Sequence, residues 1–128
     1  MRMINKSKSL KLAKCVVENY NVSCDVKFSN IEDKALYDFD NNVIKISNTY
    51  KFTISDFITT VLHEVKHVID ITRLGYDKYI KKYNQAGTMA VKNGKDFHDD
   101  NRWEIKAEKW AYHQMNTILL SISERWIK

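Results

Sequence analysis

The segment between Thr53 and Arg73 narrows the possible folds more than any other part of the chain. Phe57, Ile58, Val61, Leu62, Val65, Val68 and Ile69 recur there at helical spacing. Thr53, with Asp56 three residues on, predicts the start of the helix, and Gly75 predicts its stop. The apolar positions are so many that almost no purely solvated face remains. Polar residues on this helix are therefore expected in a partly buried cleft.

Around it the other elements follow from period and turn chemistry. Leu10, Leu12, Ala13, Val16 and Val17 predict a first helix from Ser7 to about Tyr20. Between Cys24 and Ser47 come three short runs rich in β-branched and aromatic residues: Val26-Lys27-Phe28, Ala35-Leu36-Tyr37-Asp38-Phe39 and Val43-Ile44-Lys45-Ile46. Asp40-Asn41-Asn42 supplies a turn between the last two, and the three runs together predict a small antiparallel sheet. A third helix is expected over roughly Asp77 to Lys92, with Gly94 to Asp100 as a loop. From Asn101 onward Trp103, Ala107, Trp110, Ala111, Met115, Ile118, Leu119 and Ile122 predict a long final helix with core contacts on one side. The class is α+β. With 128 residues and no linker, repeat or low-complexity segment, one domain over residues 1–128 is expected.

Composition removes several classes of function. Hydrophobic residues at 44% and charged residues at 29% describe a chain that folds, not a wholly disordered one. Met1-Arg2-Met3-Ile4-Asn5-Lys6 begins basic, but no apolar stretch of signal-peptide length follows, and no uncharged segment approaches the roughly 20 residues needed to span a bilayer. A cytoplasmic protein without a membrane span is expected. Cys15 and Cys24, without CxxC spacing, read as reduced structural thiols. The net charge of +5 is spread along the chain and gives little support to nucleic-acid binding. The abundance of Asn, Lys and Ile fits an AT-rich genome such as that of a phage.

His63-Glu64-Val65-Lys66-His67 carries the chemistry. Two histidines four apart lie one above the other on a helical face, so both imidazoles can reach one tetrahedral Zn²⁺. Glu64, beside the first of them, is angled to hold a zinc-bound water, the position of a general base. A catalytic zinc needs a third protein ligand and an open position. Glu104 is the best-placed donor: it shares a face of the final helix with Glu108, beside Trp103, Ala107 and Ala111, and small Ala107 lets two helices approach closely. Asp70 and Glu108 are the alternatives.

HExxH followed on a later helix by Glu104-Ile105-Lys106-Ala107-Glu108 resembles the gluzincin clan of zinc peptidases, which includes thermolysin-like enzymes and minimal phage and bacterial zincin-like proteins. The resemblance covers about half of the chain. It implies a minimal zincin-like domain, with a small antiparallel sheet packed on the active-site helix and the long C-terminal helix. It implies His63, His67 and Glu104 as zinc ligands, Glu64 as catalytic base and Glu108 as the residue that hydrogen-bonds a ligand histidine. It also implies a peptide or protein substrate that pairs in extended form with an edge strand of the hairpin ending at Ser47. The chain is too short for the second lobe of the larger members.

Other residues have plainer readings. His98 and His113 read as surface or capping residues. Tyr76, Tyr79, Tyr83 and Tyr112 are hydrogen-bond donors that at helical spacing read first as core, and no oxyanion donor is assigned. Tyr76, Tyr79 and Tyr83 interleaved with Lys78, Lys81 and Lys82 resemble a stacking surface for nucleic acid, but a solvated amphipathic helix accounts for them more simply. The alternative to peptide-bond hydrolysis is a noncatalytic zinc-binding module that recognises a protein partner.

Overall fold

The structure, a computed structural model, describes residues 6–127, and the side chains of residues 7–121. The basic opening of the chain, residues 1–5, and the side chain of Ile122 lie outside the described residues. In chain order the elements are α1 (Lys6–Asn19), β1 (Asp25–Ser29), β2 (Ala35–Asp38), β3 (Val43–Ser47), α2 (Ile54–Leu74), α3 (Tyr76–Lys92) and α4 (Arg102–Ile127). The α+β class read from the sequence is the class observed, with four helices and one three-stranded sheet among the described residues.

The sheet is mixed, not antiparallel as expected. Its order is β1-β3-β2, with β1 parallel to β3 and β2 antiparallel to it. The β2–β3 hairpin forms where Asp40-Asn41-Asn42 predicts it. Asn42 takes φ 51°, a left-handed conformation that asparagine tolerates, and its side chain donates to Ser23 O at 2.7 Å and accepts from the Tyr37 hydroxyl at 2.7 Å. The physical reason for the mixed order lies in β3. Val43, Ile44 and Ile46 are all buried, so this strand is covered on both faces and has to be central. β1 then docks on its free side, with β2 and its flanking loops serving as the crossover that a parallel pair requires.

α2 runs through the middle of the molecule. Phe57, Ile58, Val61, Leu62 and Val65 are at most 1% exposed and meet Ala13 and Val16 of α1, Ile44 and Ile46 of β3, and Ala111 and Ile118 of α4. Fully burying such a side chain contributes about 1.5–3 kcal/mol, so this all-round coverage fixes the orientation of α2. Its start is capped as expected, Thr53 Oγ1 accepting from the Asp56 amide at 3.2 Å. Gly75, at φ 86°, ends α2 and lets α3 begin at the next residue in a new direction. α2 makes its most extensive contact with α4, where Ala107 and Ala111 are fully buried and bring the two backbones together. A smaller cluster of Ile71, Tyr79 and Trp103, with Tyr83 and Ile80 against it, holds α3 to this pair. Asn101, also fully buried, caps α4 by accepting from the Trp103 amide at 2.9 Å and ties it to α3 by donating to Tyr83 O at 3.0 Å.

Cys15 and Cys24 are free thiols, as expected. No helix among the described residues is long and apolar enough to cross a membrane.

Candidate metal centre

The spacing of α2 puts His63 and His67 one turn apart with ring centroids 4.9 Å from each other, and turns both toward a cleft of about 730 Å³ lined by β2, α2, α3 and α4. α4 supplies the opposing wall. Because Trp103, Ala107 and Ala111 are drawn into the core, Glu104 and Glu108 are left on the face that looks at α2. Glu104 Oε1 lies 2.8 Å from His63 Nε2 and 2.8 Å from His67 Nε2, and Glu108 Oε2 lies 2.8 Å from His63 Nδ1. One donor atom from each of His63, His67 and Glu104 falls within 4.8 Å of the other two. Glu64 also lines the cleft, buried beside His63, and makes no side-chain hydrogen bond among the described residues.

α3 contributes two contacts to the centre. The Tyr79 hydroxyl is 2.9 Å from His67 Nδ1, and Tyr83 donates its phenolic proton to Glu104 Oε2. His98, from the loop before α4, brings Nε2 to 3.1 Å from the same Glu104 oxygen. From the sequence, Tyr79 and Tyr83 read first as core and His98 as a surface or capping residue, and none of the three was placed at the metal centre. The available signal was the four-residue spacing of Tyr79 and Tyr83, the same spacing that marks His63 and His67.

The electrostatics follow from this crowding. Burial pulls the His63 imidazole down, but the hydrogen bond to Glu104 and the charges of Glu64 and Glu104 outweigh it and hold the group up at about 9. Burial pushes the Glu104 carboxyl up, and the hydrogen bonds from His63 and His67 more than reverse this, holding it well below the usual carboxylate range. Burial raises Glu64, against the opposing pull of His67 and His63. Tyr83 is raised by burial and by its bond to Glu104.

The remaining candidates separate cleanly. Asp70 is 1% exposed, its Oδ1 is engaged by Lys66 Nζ at 3.0 Å and Arg73 at 3.5 Å, and it stands outside the group formed by His63, His67 and Glu104. His113 is on the exposed surface of α4. Tyr112 lines the cleft and is largely exposed, while Tyr76 stacks on Phe39 with centroids 3.9 Å apart. Tyr79 and Tyr83 turn inward to His67 and Glu104, away from the exposed Lys78 and Lys81, which takes apart the stacking surface that the sequence suggested.

The donor set, two imidazole nitrogens and one carboxylate oxygen, is of a kind that can hold a metal ion such as zinc. His63 Nδ1 and His67 Nδ1 each have a partner, so each ring can keep a proton at Nδ1 if Nε2, here bonded to Glu104, is given over to a metal. Compared with protein-family models, curated proteins and solved structures, the chain matches none.

Proposed function

We propose that this chain is a zinc-dependent metallopeptidase in which His63, His67 and Glu104 hold the metal, Glu64 is the general base and Glu108 orients His63. The observation that carries this reading is the approach of Glu104 Oε1 to 2.8 Å from both His63 Nε2 and His67 Nε2, from a different helix. Buried ionisable side chains from distant parts of a chain are costly to assemble, and a shared cation repays that cost. A bound zinc ion supplies a Lewis acid that acidifies water and polarises a carbonyl.

The chain's own residues do the rest. Glu64, desolvated at the wall of the cleft, has an enhanced affinity for a proton, takes one from the attacking water and passes it to the leaving amine. Glu108 accepts from His63 Nδ1–H and fixes that ring's tautomer. β2 is an edge strand of the sheet and lines the cleft, so its outer backbone groups are in position to pair with an extended peptide beside the histidines. The edge strand assigned to substrate is therefore β2, since β3 is central.

Glu64→Gln tests the reading. The variant is expected to retain about one zinc per chain and to lose peptide cleavage by about 10²–10⁴-fold. Cleavage at the wild-type rate removes Glu64 from the mechanism. A zinc-binding module without activity predicts instead that neither protein cleaves peptide and that both bind the same partner equally.

A further inference from the structure

The two histidines are supported unequally. His63 Nδ1 faces the carboxylate of Glu108, whose side chain is 53% exposed, whereas His67 Nδ1 faces the hydroxyl of Tyr79, which is 4% exposed. A carboxylate is the stronger partner in isolation, yet water can take its place when the site is open. A buried imidazole N–H that loses its partner has no such replacement.

Position 79 also has a reason to be uncharged. Glu104, Asp70 and Glu64 are all close enough to act on the Tyr79 phenol electrostatically, and all three are themselves buried. One more carboxylate there would add charge to a region already short of solvent. A phenol supplies the acceptor oxygen without the charge. Packing keeps it in place: the Tyr79 ring lies 5.6 Å from Trp103 and 5.8 Å from Tyr83, centroid to centroid, and Tyr83 is fastened in turn to Glu104 by its hydroxyl and to Asn101 through its carbonyl.

We infer that Tyr79 is the principal positioning residue of the metal centre, accepting from His67 Nδ1–H so that Nε2 is presented to the metal, and that it contributes more to zinc affinity than Glu108 does. The inference rests on reading the centre as a zinc site and adds to it the part played by α3. Tyr83 acts in the same way on Glu104, donating to the oxygen that His63 and His67 do not use.

The experiment is a zinc titration against a chromophoric chelator for the wild type, Tyr79→Phe and Glu108→Gln. Tyr79→Phe is expected to weaken zinc binding by about 10–100-fold, with a smaller loss in Glu108→Gln. Wild-type affinity in Tyr79→Phe, or a larger loss in Glu108→Gln, overturns the inference. A wild type that takes up no zinc overturns the metal-centre reading itself. A second measurement needs no variant: in ¹⁵N-labelled zinc-loaded wild type, His67 is expected to be protonated at Nδ1, with a proton that exchanges with water more slowly than that of His63. A His67 protonated at Nε2, or a His67 proton exchanging as fast as that of His63, overturns the inference even where Tyr79→Phe does not fold.

Discussion

Glu104 gathers four polar contacts in the cleft: His63 and His67 on one oxygen, Tyr83 and His98 on the other. Replacing it with glutamine keeps the shape and removes the charge. Glu104→Gln is expected to reduce zinc affinity sharply while leaving the fold intact, read by metal titration beside circular dichroism, and undiminished affinity excludes Glu104 as a ligand. A second residue-level prediction concerns acid. Hydrogen bonds from the Asn41 side chain, the Lys45 ammonium and the Asn41 amide hold the Asp38 carboxyl down at about 2, below its ordinary 3.8. A depressed folded-state value means that the stabilisation is complete above the ordinary value and disappears as pH falls through about 2. Asp38→Ala is therefore expected to lower the denaturation midpoint at neutral pH, with the difference from wild type nearly closing at pH 2. A difference that is the same at both pH values contradicts this. At this scale the sequence was most legible where chemistry and spacing coincide, as with His63, Glu64, His67, Glu104 and Glu108. Tyr79 and Tyr83 were not, because a phenol aimed at a histidine or a carboxylate and a phenol packed in a core have the same helical spacing.

Among the elements, the helix ends were readable because they depend on neighbours in sequence. Thr53 caps α2 and Gly75 ends it as their residue types dictate, and Thr53→Ala is expected to cost about 1 kcal/mol in denaturant titration. Strand order depends on partners distant in sequence, so a local hairpin signal extended to all three strands gave the wrong sheet. The informative pattern was Val43-Ile44-Lys45-Ile46, too apolar for a strand with one wet face, which marks a central position. The α2–α4 seam makes its own prediction. Ala107 is fully buried between Glu104 and Glu108, so Ala107→Leu is expected to destabilise the protein by about 1–3 kcal/mol and to weaken metal binding by parting the helices, whereas a small change in both would mean that the seam has room. On α3, a Cβ at Gly87 would collide with the Phe97 ring. Gly87→Ala should displace Phe97 and speed amide exchange in the loop that carries His98, while its gain of about 1 kcal/mol in helix propensity masks the change in overall stability.

Across the whole molecule, an α+β arrangement places one buried helix between a mixed sheet and a long C-terminal helix, and the cleft appears only when these pieces have docked. Neither its volume nor the edge position of β2 can be read from any single segment, since both depend on how β3, α2 and α4 meet. What the sequence did carry was the need for a partly buried cleft, because the stripe from Phe57 to Ile69 leaves the histidines no open surface. The central claim is that this cleft holds one zinc ion through two residues of α2 and one of α4. Elemental analysis of purified wild type, His63→Ala and Glu104→Ala, each after zinc addition under reducing conditions and removal of the excess, tests it most directly. About one zinc per wild-type chain, lost from both variants, is the predicted result. No zinc in the wild type, or equal zinc in all three proteins, would contradict it.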